Sequence, residues 1–137
     1  MAYFTKDATY GTFWAPILEK AWAKIVGNYA QANGGFIITG ARVLTGVPGF
    51  YYSATTLGQS GKPTLDEAHD LLKAGEAANY IMAAGTEGSG NDQVTNTCGI
   101  AMSHAYSLLA AFTMTDANSV AHKMLLFRNP WGTTGYN

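Results

Sequence analysis

Apolar residues recur at helical spacing near the start of the chain. Ile17, Leu18, Ala21, Trp22, Ile25, Val26 and Tyr29 form the i, i+3, i+4, i+7 stripe of an amphipathic helix from about Phe13 to Tyr29. Thr12 is the expected N-cap, and Pro16 falls in the first turn, where its missing N–H is tolerated. Gly27 or the Asn33-Gly34-Gly35 cluster ends the helix. From residue 34 to 63 the pattern is broken by Gly and Thr. Phe36–Thr39 and Phe50–Ser53 read as candidate short strands, with a turn at Gly46-Val47-Pro48-Gly49. A second helix begins after Pro63. Thr64 and Glu67 have the spacing of a capping box, Leu65, Ala68, Leu71 and Leu72 form the expected buried stripe, and Gly75 is the expected terminating residue.

The second half of the chain has the pattern of strands. Tyr80–Ala84 reads as one, followed by a polar, Gly-rich surface loop over Gly85–Asn96. Two apolar runs, Ala105–Met114 and Val120–Arg128, flank the turn-forming cluster Thr115-Asp116-Ala117-Asn118-Ser119, which predicts a β-hairpin. Neither run alternates cleanly, so both strands are expected to be buried on both faces. The fold class predicted is α+β: an antiparallel sheet packed by two or more helices.

Composition narrows the function. The 137 residues fit about one domain. Eight Lys and Arg against nine Asp and Glu leave a net charge of −1, which argues against a nucleic-acid binder. No apolar run is long enough to span a membrane, and the first ten residues lack the apolar core of a secretory signal. The single cysteine, Cys98, excludes an internal disulfide framework, so an intracellular, cytoplasmic location is expected. Only 12% of residues are charged, about half the usual share of roughly 25%. So little charge suggests a module that docks against another domain, a partner chain or an assembly.

The hairpin carries the candidate chemistry. A turn centred between Asp116 and Ala117 pairs residues whose numbers add to about 233, which sets His104 opposite Asn129. Opposed side chains share a face, with Cβ atoms about 5 Å apart. A catalytic imidazole needs a fixed ring and tautomer. The Asn129 oxygen is expected to accept the Nδ1–H of His104 and leave Nε2 for a nucleophile. Against a Cys nucleophile a neutral orienting group suffices, because the resting state is already a thiolate–imidazolium pair.

On these residues the chain resembles the calpain-type cysteine proteases. The resemblance rests on the run FWAPILEKAWAK from Phe13 to Lys24, on Leu44-Thr45-Gly46, on His104-Ala105-Tyr106-Ser107, and on Arg128-Asn129-Pro130-Trp131-Gly132. These stand in the family's order and at compatible separations, and together cover most of the chain. Calpain catalytic cores have a Cys-bearing half and a His/Asn-bearing half. The resemblance implies that residues 1–137 are the second, His-bearing half of a papain-like fold, truncated at its C-terminal end and lacking the Cys-bearing half. It implies His104 as general base and acid, Asn129 as the group orienting its ring, and Trp131 as a shield over the pair. It also implies a Cys-bearing half in cis or trans as partner and a polypeptide as substrate. The family's Cys motif and its acidic calcium-binding loops are absent from these residues, so no metal and no cofactor is expected here. Calcium belongs only to the wider family. His104 follows Ser103 where the family often has Gly.

The remaining polar residues read as structural. Cys98 is expected to be an inert, buried thiol, His69 an exposed helix residue, and His122 a satisfied strand residue. Asp66, Glu67 and Asp70 favour a helix N-terminus rather than a metal. Trp22 and Tyr29 are expected in the core. The loop sequence GTEGSGND lacks the spacing of a calcium-binding EF-hand. Three functional readings follow: a cysteine endopeptidase half; a catalytically inactive subunit of a larger assembly; and a self-contained hydrolase using Cys98 or Ser103 with His104.

Overall fold

The computed structural model describes residues 11–88 and 92–131. The chain divides into two compact units, residues 1–40 and 41–137. In the first unit, α1 spans Trp14–Val26. Pro16 lies in its first turn as the pattern predicts. Phe13 rather than Thr12 is the N-cap, and no side chain caps the helix there. Gly27 terminates it at φ 109°, a conformation open to glycine. Ala23 and Glu19 are buried, whereas Ile17 and Ile25 of the expected core stripe stand exposed. Trp22 and Tyr29 are half-buried. The helix therefore turns the edge of its apolar stripe inward, not the centre.

Helix α2 spans Ile37–Thr45, where the β-branched run Ile37-Ile38-Thr39 suggests a strand. Helical placement puts Ile38 and Ala41 on one face, both half-buried. Its end is built locally: the Gly46 amide donates to Arg42 O at 2.8 Å with Gly46 at φ 72°, and the Thr45 hydroxyl donates to Ala41 O at 2.7 Å. The second candidate strand, residues 50–53, is irregular and leads into a single 3-10 turn at Ala54–Thr56.

Helix α3 spans Leu65–Ala77 and opens with the predicted capping box. The Glu67 amide donates to Thr64 Oγ1 at 3.2 Å, and the Thr64 amide donates to Glu67 Oε2 at 2.7 Å. These bonds hold the Glu67 carboxyl below its ordinary pKa, the backbone bond most. The helix runs past Gly75. Asn79, at φ 56°, is the left-handed residue that ends it, with Tyr80 N–H donating to Gly75 O and Asn79 N–H to Glu76 O, a Schellman closure. Gly75 serves packing instead: a Cβ there would lie 3.2 Å from Met82 Sδ. The buried face is also rotated from the expected one. Leu65 and Leu71 are exposed, and His69 and Gly75 are buried.

Helix α3 lies on a three-stranded antiparallel sheet of β1 (Ala83–Gly85), β2 (Ala105–Thr115) and β3 (Ala121–Arg128), in that spatial order. Three side chains tie helix to hairpin. Lys123 Nζ meets Asp66 Oδ1 at 2.8 Å. His69 Nε2 lies 3.2 Å from Phe112 O and 3.3 Å from Met124 O, so one ring N–H serves two strands. Glu76 Oε2 accepts the Ala111 N–H at 2.7 Å. His69, expected on the surface, is thus only 6% exposed, because the strand carbonyls offer it partners. Strand β2 buries Leu108 and Ala111, but every residue of β3 is exposed, contrary to the expectation of two-sided burial.

Candidate active site

The hairpin turn sets the register. Asp116 Oδ1 accepts the N–H groups of Asn118 and Val120, each at 2.9 Å, and Asp116 Oδ2 pairs with His122 Nε2 at 3.0 Å. These contacts lower the Asp116 pKa, the His122 bond most. They also close a longer loop than a turn at Asp116-Ala117. Paired residue numbers therefore add to 236 from Ala110 to Thr115, not to the expected 233. That register, continued, would put Asn129 on the face away from His104, because one step of slip exchanges faces. A bulge intervenes at Leu109: Leu108 pairs with Phe127 and Ser107 with Arg128, where the numbers add to 235. Continuing the pleat places His104, Tyr106, Leu108, Phe127, Asn129 and Trp131 on one face.

The contacts agree with that placement. His104 Nε2 lies 2.9 Å from Asn129 Oδ1. The same oxygen accepts the Trp131 N–H at 3.1 Å, which fixes the amide orientation and makes Nε2 the donor. The expected roles of the two ring nitrogens are thus reversed. Nε2 is held by Asn129, and Nδ1 faces outward toward Asp92 Oδ2 at 3.4 Å. The reason is reach: Asn129 is a diagonal neighbour beyond the paired strand ends, so it meets the far nitrogen. The Trp131 ring lies over the imidazole at 4.7 Å between centroids, and Tyr106 meets it edge-on at 4.9 Å. The His104 side chain is only 9% exposed.

The backbone of His104 is clamped from β1. The Thr86 amide donates to His104 O at 2.9 Å, the His104 amide donates to Thr86 Oγ1 at 3.1 Å, and that hydroxyl donates to Ala101 O at 2.7 Å. Ser103 turns the chain into the site at φ 49°, a left-handed conformation, and its hydroxyl donates to Gly88 O at 2.8 Å. That conformation gives a physical reason why glycine suits the position before this histidine. The segment before it folds back through a Thr95–Ala101 bridge, with Asn96 Oδ1 accepting the N–H groups of Cys98 and Ile100. The Ala101 N–H donates to the Tyr106 hydroxyl at 2.9 Å. Cys98, expected to be buried, is instead exposed, because it sits on the turn that Asn96 Oδ1 closes. Residues 89–91 of the expected Gly-rich loop, and Gly132, lie outside the described residues.

Thr86 and Asp92 were not singled out by sequence. Each is a polar residue in a Gly-rich stretch, and no spacing links it to His104. His122 and the acidic residues of α3 have local structural partners. Among the described residues no three His, Cys, Asp or Glu side chains converge to hold a metal ion, and no helix is long and apolar enough to cross a membrane.

His104 is thus clamped through its backbone, held through one ring nitrogen by Asn129 and covered by the Trp131 indole. Comparison with known proteins places it. The profile of the calpain family cysteine protease domain matches residues 1–137. A calpain-type cysteine protease, DEK1 of Zea mays, is 30% identical over 132 residues, 93% of this chain and 6% of that protein. Calpain-9 of Homo sapiens is 25% identical over 134 residues, 98% of this chain and 19% of that protein. A calpain of Schistosoma mansoni is 34% identical over 120 residues, 88% of this chain and 15% of that protein. The chain belongs to the calpain family of cysteine proteases. It spans less than a fifth of the length of these relatives.

Proposed function

We propose that this chain is the His/Asn-bearing half of a calpain-type endopeptidase catalytic core, acting on polypeptide substrates. The observation that carries the reading is the 2.9 Å contact between His104 Nε2 and Asn129 Oδ1. The nucleophile is a cysteine on a second half, in cis or in trans. His104 Nδ1 takes the thiol proton, and the thiolate attacks the peptide carbonyl carbon. The imidazolium gives its proton to the leaving amine, leaving an acyl-enzyme thioester. Water, deprotonated by the same nitrogen, attacks the thioester and releases the acid and the free thiol. Asn129 holds the ring through this cycle without adding a charge. Trp131 keeps bulk water from the hydrogen bond. The step uses no metal or cofactor of this chain, and a free catalytic thiol fits a reducing, intracellular compartment.

A second reading is a catalytically silent subunit of a larger assembly. The exposed apolar residues Met124, Leu125, Leu126 and Phe127 on β3 support it. One experiment separates the two. The chain is mixed with a Cys-bearing calpain half and a thiol-reactive peptidyl epoxide. We expect covalent labelling of the cysteine, slowed about 100-fold or more by H104A, the scale of a lost general base. Labelling that ignores His104, or no labelling from an assembled pair, overturns the protease reading in favour of the silent subunit.

A further inference from the structure

We propose that Nδ1 of His104 and Nε1 of Trp131 form an anion seat, and that Asp92 fills it in this half in place of a thiolate. The inference rests on the reading of His104 as the catalytic base. Two ring nitrogens converge on one oxygen: Asp92 Oδ2 lies 3.4 Å from His104 Nδ1 and accepts the Trp131 Nε1–H at 3.3 Å. With the Nε2 proton given to Asn129, Nδ1 donates to that oxygen only in the imidazolium form, the form that faces a thiolate. The indole nitrogen can only donate, and Asp92 Oδ2 is the acceptor it meets. The other imidazole nitrogen is already held by Asn129. The seat therefore faces the one direction from which a nucleophile can meet the base. A carboxylate and a thiolate are both monoanions, so either complements the imidazolium and the indole N–H.

Asp92 reaches the seat from the loop after β1, not from the hairpin that builds it. Its side chain is 38% exposed, so it can leave without unpacking the core. Docking of a Cys-bearing half then exchanges one anion for another. The carboxylate keeps the base nitrogen covered until the thiol arrives, and the two occupants compete.

The test uses the full chain alone and then with a Cys-bearing half. Diethyl pyrocarbonate acylates an unprotonated, accessible imidazole nitrogen, and peptide mass spectrometry reads each histidine separately. We expect D92A to speed modification of His104 about fivefold, the scale of a lost part-exposed ion pair, with His122 unchanged as the internal reference. D92N keeps the side-chain volume, removes the charge, and moves the rate in the same direction. Buried His69 reports folding: if it becomes reactive in D92A, D92N alone decides. Equal His104 rates in wild type and variants overturn the seat. In the mixture, D92A lowers the concentration of Cys-bearing half needed for half-maximal epoxide labelling, also about fivefold. A rise in that concentration overturns the competition. Absence of labelling in every variant overturns the protease reading, while the His104 rates still decide the seat.

Discussion

At the scale of single residues, the site is a set of exchanges between hydroxyls, amides and one ring. Thr86 is the most connected of them, since its amide and hydroxyl both bond the backbone of His104. T86V removes the hydroxyl and strands the His104 N–H in a part-buried place. We expect a loss of about 1–3 kcal/mol in urea unfolding, the cost of an unsatisfied buried donor, with T86S restoring most of it. The pairing of His104 with Asn129 was legible in the sequence, because both residues sit next to apolar runs that fold back on each other. Which nitrogen is used was not legible. It depends on a diagonal offset of two residues that only the bulge and the loop length decide.

Three carboxylates, Asp66 beside Lys123, Glu67 and Asp116, have a pH signature at this scale. Asp66, Glu67 in the capping box and Asp116 in the hairpin turn all have folded pKa values below their ordinary ones. In the unfolded chain each group binds its proton at higher pH than in the folded chain. Through the interval between those two values the unfolded state holds more protons, so stability rises with pH there. We expect the thermal midpoint to be level with respect to these groups above about pH 5 and to fall as the pH drops below the carboxylate range near 4. E67Q or D116N should flatten that fall in a calorimetric pH series. Asp66, Glu67 and Asp116 lie at the surface, so the slope is shallow and weakens with added salt.

At the scale of elements, local signals were readable where the chemistry is local. The Thr64–Glu67 box and the apolar runs of the hairpin formed where the pattern placed them. Helix α2 was not readable, because β-branched residues after two glycines prefer extended backbone until tertiary context overrides them. The face of α3 was misjudged because His69 is buried by carbonyl partners that periodicity does not reveal. The bulge was invisible for a similar reason: Leu109 is one apolar residue in an unbroken run. Its removal gives a sharp test. Deleting Leu109 leaves Leu108 opposite Phe127 and Ala110 opposite Leu126, so no residue changes face. We expect the deletion variant to retain His104-dependent epoxide labelling with the Cys-bearing half. Deleting Phe127 instead shifts Asn129 by one position to the other face, and labelling is expected to be lost. Retained labelling in that second variant would contradict the role given to the register.

At the scale of the whole molecule, low charge and a small core belong together. Only Ala23, Ala101, Leu108 and Ala111 are buried apolar residues among those described, while Leu126 and Phe127 remain about half exposed on an edge strand. The composition had pointed to a module with too little charge to coat a free surface. Strand β3, apolar and exposed on both faces, is where that imbalance becomes visible. What the sequence could not convey is which strand would carry it, since burial depends on what stacks against a strand and not on its own pattern.

The candidate site sits at the open end of this hairpin. Asn129 lies one residue and His104 three residues beyond the last rung between β2 and β3, Ser107 opposite Arg128, and the Thr86 bonds hold His104 on the β1 side. Strand ends open before strand centres, at a free energy well below that of global unfolding. Gentle warming should therefore abolish His104-dependent epoxide labelling in the mixture with a Cys-bearing half while the far-ultraviolet circular dichroism of this chain is still native. The interval between those two temperatures measures how firmly Thr86 keeps the mouth of the hairpin shut.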